Sequence, residues 1–224
     1  TLKQYQVANV NIKKKFKNSI MITSSFGAES IVILHLCSRI EPNIPILFLN
    51  TGKLFKETLT YLKRVRKLLK LTNIKIYEPN EMDLKIHDPK GKLHLTNTTL
   101  CCNIRKVEPL KLALREGNYK AWINGRKRFH GKNRNKLKVI EYVNGVCKIN
   151  PLADWTFKHI ENYCEYYKLP KHPLVAKGYM SIGCSPCTSK TKDSIRDGRW
   201  AKSMKSECGI HETKKENKKY YPTI

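Results

Sequence analysis

Two short groups of cysteines, far apart along the chain, constrain its fold more than any other feature. Cys101 and Cys102 are adjacent, and Cys184 and Cys187 form the ends of a Cys-x-x-Cys motif. Thiolates bind soft metals, so a fold that brings the two groups together creates a four-thiolate site. The middle of the chain and its C-terminal part are therefore predicted to meet.

A four-cysteine site suits either a zinc ion or an iron-sulfur cluster. Zinc is the usual occupant of isolated Cys-x-x-Cys pairs that bind metal. Adjacent cysteines bind one ion at a cramped angle, whereas a cubic cluster lets each thiolate take a different iron, so the adjacent pair favours the cluster. Gly183 and Pro186 predict a tight turn around the Cys-x-x-Cys motif, and Asn103 is predicted to cap a helix over residues 104–114.

The composition predicts one sizeable core in a reducing compartment. With 224 residues, the chain is interpreted as one domain, residues 1–190, followed by a tail, residues 191–224. No apolar run approaches the roughly 20 residues that cross a bilayer, and residues 1–17 lack a secretory signal. Eight cysteines without such a signal predict metal or redox chemistry in the cytoplasm, not a disulfide scaffold.

The net charge of +26 is typical of proteins that bind nucleic acid. Lysines supply most of the 44 basic residues, however, and they are spread over nearly every segment instead of forming one stripe. We interpret this as a general enrichment in lysine that would steer an anionic substrate or an acidic protein partner. Neither nucleic acid nor a membrane is the expected partner.

Apolar strands that alternate with helices predict an α/β fold. A hairpin with an Asn144-Gly145 turn is predicted at residues 139–149, and residues 79–99 are predicted to be irregular, with room for a helix. Residues 3–17 are interpreted as a basic helix or arm. The predicted strands are residues 19–23, 46–49, 74–77 and 120–123, and the predicted helices are residues 31–39, 55–69, 104–114 and 156–167.

Polar segments follow three of the predicted strands, at the ends where open α/β sheets bind ligands. A Ser- and Gly-containing turn follows the first strand and leads into a helix, whose free N–H groups and dipole suit an anionic or nucleotide ligand. Three consecutive cations follow the fourth strand, where an anion contact is favoured over a solvated turn. The candidate ligand contacts on these segments are Ser24, Ser25, Phe26, Gly27, Asn50, Thr51, Gly52, Gly125, Lys127, Arg128 and Arg134.

The last cysteine, Cys208, lies in a segment with almost no apolar periodicity, which predicts that it is not a core thiol. Cations around a thiol increase the fraction present as thiolate, the nucleophilic form. Cys208 is therefore a candidate nucleophile, with an accidental surface cysteine as the alternative. Cys37, Cys147 and Cys164 fall within helix or strand patterns and are predicted to be small core residues.

Several blocks of this chain, in the same order, resemble the assimilatory adenylyl-sulfate and phosphoadenylyl-sulfate reductases. The resemblance implies an adenine nucleotide α-hydrolase-like (Rossmann-like) fold, with a mostly parallel sheet, helices on both faces and a flexible C-terminal tail that carries the catalytic cysteine. The blocks are residues 24–29 (SSFGAE), 48–55 (FLNTGKLF), 101–110 (CCNIRKVEPL), 150–155 (NPLADW), 183–188 (GCSPCT) and 207–211 (ECGIH).

Members of this family that have both cysteine groups hold one four-iron four-sulfur (4Fe-4S) cluster per subunit and generally prefer adenylyl sulfate. Members without them use the 3'-phosphorylated substrate. The resemblance therefore implies that Cys101, Cys102, Cys184 and Cys187 are cluster ligands and that Cys208 is the nucleophile.

The implied activity is thioredoxin-dependent reduction of adenylyl sulfate to sulfite and AMP, in sulfate assimilation and cysteine biosynthesis. The Cys208 thiolate attacks the sulfate sulfur, AMP leaves, and a thioredoxin- or glutaredoxin-type dithiol releases sulfite from the Cys208 S-sulfonate. Lys106, Arg196 and Arg199 are the cations implied to offset the substrate's negative charge, and His211 joins the implied substrate contacts. A homo-oligomer is compatible with this assignment.

The chain departs from the family pattern in two places. Asn50 stands where the family usually has Asp, and Phe129-His130-Gly131 stands where many members have an acidic residue, Gln and Ser. Three alternatives stay open: the same fold acting on phosphoadenylyl sulfate, a related enzyme that thiolates a tRNA base, or a basic RNA-binding module with a structural zinc.

Overall fold

The computed structural model describes residues 16–131, 134–143, 145–200, 205 and 207–211. The predicted arm at residues 3–17 lies almost entirely outside these residues, as does much of the predicted tail. The strands are β1 (Ile20–Thr23), β2 (Ile46–Leu49), β3 (Ile74–Tyr77), β4 (Ala121–Ile123), β5 (Ile140–Val143) and β6 (Val146–Ile149). The α-helices are α1 (Ser30–Ser38), α2 (Lys56–Leu68), α3 (Glu81–His87), α4 (Leu93–Thr96), α5 (Thr98–Cys102), α6 (Glu108–Glu116) and α7 (Phe157–Tyr166), and a π-helical segment, Asn103–Val107, joins α5 to α6.

The six strands form one sheet in the order β3-β2-β1-β4-β6-β5. All neighbouring pairs are parallel except β5 and β6, which form the predicted antiparallel hairpin. The chain builds outward from β1 through β2 to β3 and then crosses to β4 on the other side of β1. This reversal of strand order separates the loops after β1 and β4, and it leaves a crevice at the carboxyl ends of these strands.

Helices cover both faces of the sheet. Successive strand residues point to opposite sides, and apolar side chains on both sides need to be buried. Ile22 and its neighbours on one face pack with the apolar side chains of α1 and α7 in the larger core. Met21, Leu47 and Trp122 point to the other face, where they pack against Leu110 of α6 in a second core. The predicted mostly parallel α/β architecture is confirmed. Within the described residues, no helix has the length and apolarity needed to span a membrane.

The prediction of an irregular segment at residues 79–99 is wrong, because helices α3 and α4 and the start of α5 occupy most of it. Asn80 caps α3 by accepting a hydrogen bond from the Met82 N–H (2.8 Å), and Asn97 caps α5 by accepting one from the Leu100 N–H (2.9 Å). Asn103 is therefore not a helix N-cap. The adjacent cysteines lie inside the helix and not in front of it.

Cys37, Cys147 and Cys164 are buried, which confirms that they are core residues. A further buried polar side chain, His172, is only 1 % exposed and lies between α2 and the loop after α7. The Leu174 N–H donates to its Nδ1 (3.1 Å), so the neutral ring carries its proton on Nε2 and donates to the Thr58 hydroxyl (3.1 Å). If Nδ1 were protonated, its N–H would face the Leu174 N–H, and two hydrogen-bond donors would meet without an acceptor.

Acid should destabilise the fold through His172. Burial lowers the pKa of this imidazole from 6.5 to about 4. The unfolded chain therefore binds more protons between these values, and stability falls as the pH drops from 6.5 towards 4, by roughly 3 kcal/mol in full. We expect the free energy of unfolding in urea to decrease less between about pH 7 and pH 5 in His172→Asn than in the wild type. Equal decreases in the two proteins would contradict this.

Candidate active site

One cleft opens at the carboxyl ends of β1 and β4. It gathers residues from the strand-end loops, from the π-helical segment and from the C-terminal part of the chain. The predicted site residues that line it are Ser24, Ser25, Gly27, Thr51, Lys106, Gly125, Lys127, Arg134, Arg196, Arg199, Cys208 and His211.

The turn after β1 is held by its own side chains. The Ser24 hydroxyl accepts a hydrogen bond from the Phe26 N–H (3.2 Å), and Phe26 has a left-handed backbone (φ 47°) that few non-glycine residues adopt. The Phe26 ring is fully buried and meets Phe48 edge-on, with ring centroids 5.5 Å apart. Phe26 therefore anchors the turn from below, and its side chain is not placed to contact a ligand.

Three other predicted contacts do not line the cleft. The Asn50 amide donates to Glu78 (2.6 Å) at the sheet edge, and Gly52 lies beside the Arg105 guanidinium. Arg128 donates from Nε to the Leu137 carbonyl (2.8 Å) and forms an ion pair with Asp154. The side chains of Asn50 and Arg128 are thus engaged elsewhere, and a role for either in ligand binding is not supported by its position.

A buried carboxylate in the cleft is a feature that the sequence analysis missed. Glu29, at the start of α1, forms an ion pair with Lys127 (2.5 Å) and a hydrogen bond with His130 Nε2 (2.9 Å). Burial raises the pKa of Glu29, but Lys127 and His130 lower it more, to about 2. Glu29 therefore offsets the charge of Lys127 within the cleft. Asn124 and Arg126 also line the cleft.

The segment that carries Cys208 is attached to the cleft by Glu207. Arg134 donates from Nε and Nη2 to the two Glu207 carboxylate oxygens (2.5 and 2.9 Å), and Arg196 Nη2 lies 3.5 Å from one of them. Burial raises the pKa of Glu207, but these arginines hold it below its ordinary value. The Lys148 ammonium donates to the His211 carbonyl (3.0 Å), which fixes the other side of the same segment.

The four cysteines of the two groups line one small cavity beside the cleft, as predicted from their spacing. Cys184 reaches it through a β-bridge with Leu54, and the Ser185 N–H donates to the Lys53 carbonyl (2.8 Å). The Thr51 hydroxyl lies 3.2 Å from the Cys184 sulfur. These contacts attach the Cys-x-x-Cys turn to the loop after β2.

Lys106 lines both the cysteine cavity and the cleft. It belongs to the π-helical segment directly after the cysteine pair, and such wider turns often occur at functional sites. Burial lowers the pKa of Lys106, but the thiolate charges of Cys184, Cys208 and Cys102 outweigh burial and raise it. The charged form of Lys106, which lines both the cysteine cavity and the cleft, is thus stabilised by thiolates on both sides.

The thiols themselves have different electrostatic environments. Burial raises the pKa of Cys102 to about 12, although Lys106 lowers it. For Cys184, the charges of Lys106 and Arg199 and the hydrogen bond from Thr51 outweigh burial, so its pKa lies below the ordinary thiol value. Beside them, Arg105 forms a buried ion pair with Asp88 (2.6 Å). Burial also raises the pKa of Cys101 and Cys187, so Cys184 is the one thiol of the four whose surroundings favour the thiolate.

The donor set fits a soft metal centre. All eight cysteines are free, and four of them face this one cavity. In the part of the chain that the structure describes, however, no three Cys, His, Asp or Glu side chains are grouped closely enough to hold a single metal ion. The four thiols share a cavity without forming a one-ion site.

Arg199 lines the cleft on the side of the cysteine cavity. Its guanidinium stacks on the Trp200 ring, 4.3 Å from the ring centroid, and lies directly against the Cα of Gly183. A β-carbon at position 183 would overlap this guanidinium. The glycine before the Cys-x-x-Cys motif therefore allows the close approach of Arg199, and a larger residue would displace the end of this side chain.

Comparisons with known proteins agree with this fold. A family model described as the phosphoadenosine phosphosulfate reductase domain matches residues 19–190. The adenosine 5'-phosphosulfate reductase of Mesorhizobium japonicum is 43% identical over 212 residues, which cover 94% of this chain and 83% of the relative. The crystal structure of a phosphoadenylyl-sulfate reductase from Candida auris, in complex with phosphate, has a TM-score of 0.69 and 29% identity over 84% of this chain and 89% of that one.

A more distant structure shares the fold alone. The FMN adenylyltransferase of Candida glabrata has a TM-score of 0.57 at 16% identity and covers 81% of this chain and 61% of that one. This agrees with the predicted adenine nucleotide α-hydrolase-like architecture.

Proposed function

Because this chain belongs to the phosphoadenosine phosphosulfate reductase family, we propose that it is an enzyme that reduces adenylyl sulfate (adenosine 5'-phosphosulfate) to sulfite and AMP in sulfate assimilation. One observation carries the proposal: Cys208 lines the same cleft as the strand-end loops and the cations Arg196 and Arg199. A thiol, a cleft at the strand ends and nearby cations are the parts that this reaction requires.

In the first step, the Cys208 thiolate attacks the sulfur of the phosphosulfate. The bond between that sulfur and the bridging oxygen breaks, AMP leaves with the electron pair, and Cys208 becomes an S-sulfonate. Because thiolate and substrate are both anions, Lys106, Arg196 and Arg199 offset their repulsion and stabilise the phosphate that leaves. Ser24, Ser25, Gly27 and Gly125 bind the nucleotide at the ends of β1 and β4.

In the second step, a dithiol of the thioredoxin or glutaredoxin type attacks the Cys208 sulfur. Sulfite leaves with the electron pair, a mixed disulfide forms, and the second thiol of the reductant resolves it. The reductant is thereby oxidised to a disulfide, and Cys208 returns to the thiol. Since this cycle needs reduced thiols, we place the enzyme in the cytoplasm. The net charge of +26 favours an acidic reductant.

Cys101, Cys102, Cys184 and Cys187 would hold one 4Fe-4S cluster. Support comes from the shared cavity, the free thiols and the adjacent pair, which suits a cluster with one iron for each thiolate. When bound, the cluster supplies charge and rigidity at the wall of the cleft, while the electrons for reduction come from thiols. Lys106 lies between the cysteine cavity and the cleft, and its ammonium group would approach the substrate from the side of the cluster.

The proposal is tested by anaerobic sulfite release with reduced thioredoxin and either nucleotide. We expect adenylyl sulfate to be turned over with a kcat/KM at least about tenfold higher than that of phosphoadenylyl sulfate, because Glu29 offsets the charge of Lys127 and so weakens this cation as a partner for a second phosphate. Equal turnover of both nucleotides, or a preference for the 3'-phosphorylated one, would overturn the substrate assignment. Release of sulfite from neither would overturn the proposed function.

A further inference from the structure

Glu207 is the only acidic residue directly beside Cys208 in the sequence, and its carboxylate is half-buried among arginines of the cleft. Both of its oxygens accept hydrogen bonds from Arg134, at 2.5 and 2.9 Å, and Arg196 approaches to 3.5 Å. A bidentate contact of this kind fixes orientation as well as position. The backbone of the adjacent Cys208 is thereby fixed over the cleft.

The Arg134 side chain is in turn held in position by His130. Its Nη1 lies 3.2 Å from His130 Nδ1, while His130 Nε2 lies 2.9 Å from Glu29. Since Arg134 can only donate, His130 accepts at Nδ1 and donates from Nε2, which fixes the neutral ring in one tautomer. A continuous chain of polar contacts thus runs from the start of α1 to the residue before the nucleophile.

Resting on the proposed function, we propose that Glu207 is a positioning residue that latches the Cys208 segment over the cleft for the first half-reaction and must release it for the second. We call its contacts with Arg134 and Arg196 the Glu207 latch. Sulfonate transfer needs Cys208 inside the cleft, whereas a protein dithiol has to reach the same sulfur from outside. The Glu207 latch therefore speeds the sulfonation of Cys208 and slows the attack of the dithiol.

The two half-reactions separate this role from a merely structural one. In anaerobic holoenzyme, the Cys208 S-sulfonate is formed from adenylyl sulfate without reductant and measured by mass spectrometry, and sulfite release is then started with reduced thioredoxin. We expect Glu207→Gln to slow sulfonation roughly tenfold, since a neutral amide forms weaker hydrogen bonds with Arg134, and to leave release unchanged or faster. Glu161→Gln, which removes an exposed carboxylate paired with Lys171, is the matched control. Unchanged sulfonation, or equal slowing of both steps, would overturn the proposal.

A second measurement does not depend on activity. The rate at which iodoacetamide alkylates Cys208 reports how open the latch is. We expect roughly tenfold faster alkylation in both Glu207→Gln and Arg134→Gln. These changes have opposite electrostatic effects on a thiol, so only release of the segment accelerates both. Unchanged or slower alkylation in Arg134→Gln would overturn the latch even if the wild type reduces no sulfonucleotide, whereas absence of S-sulfonate in the wild type would overturn the proposed function alone.

Discussion

Replacing Cys208 with serine is expected to abolish sulfite release, with a fall in kcat of at least about a thousandfold. A hydroxyl at this position is not ionised at neutral pH and is a far weaker nucleophile than a thiolate, so the first step stops. The measurement is anaerobic sulfite release from adenylyl sulfate, together with mass spectrometry of the tryptic peptide that contains position 208. The wild-type peptide should gain the mass of one SO3 group when reductant is omitted, and the variant peptide should not.

Two controls make this result specific. Cys164→Ala removes a buried thiol on α7, away from the cleft, and should retain activity and S-sulfonate formation. The iron content of Cys208→Ser should match that of the wild type, because Cys208 does not line the cysteine cavity. Sulfite release by Cys208→Ser at a rate close to the wild type would show that another group is the nucleophile.

Short apolar runs between turn residues were enough to predict the strands, because the pattern of each strand depends on its own residues. Met21, for example, points away from Ile22 whatever surrounds the strand. The mostly parallel sheet that the strands form was implied by the family resemblance. The helix around the cysteine pair was mispredicted for a different reason. Asn103 has the chemistry of an N-cap, but the Asn97 cap begins the helix earlier, and a π-helical segment carries it through residue 103. The packing that stabilises such a segment is not local.

The candidate site, like the fold, was predictable only where it depends on local sequence. The strand-end loops were predictable from the order of the chain, whereas the cations of the C-terminal segment were implied by the family resemblance. The partner of each charge was not predictable. Glu29 and His130 are 101 residues apart, and Arg134 and Glu207 are 73 apart, so only the folded chain shows that each pair meets. Lys127 faces the cleft while Arg128, one residue later, begins a 3-10 turn and points to Leu137.

Replacing Cys187 with serine is expected to remove the cluster and, with it, most of the activity. Serine is a hard oxygen donor and binds iron of a cluster poorly, and a site with three thiolates leaves one iron open to solvent. Cys187 is the best choice among the four proposed ligands, because its side chain is partly exposed and its loss leaves no cavity in a core. We expect iron per chain and the visible iron-sulfur absorbance of anaerobically purified protein to fall at least about fivefold, and sulfite release to fall with them.

Cys164→Ala serves again as the control, and it should keep full iron content and absorbance. Far-ultraviolet circular dichroism checks that Cys187→Ser is folded, since the two cores lie on the faces of the sheet and do not include this residue. Lys106 gives the physical link between cluster and activity, because it lines both sites and the neighbouring thiolates stabilise its charge. If the wild type contained zinc in place of iron, or if Cys187→Ser kept both its iron and its activity, the four-cysteine cavity would not be a cluster site.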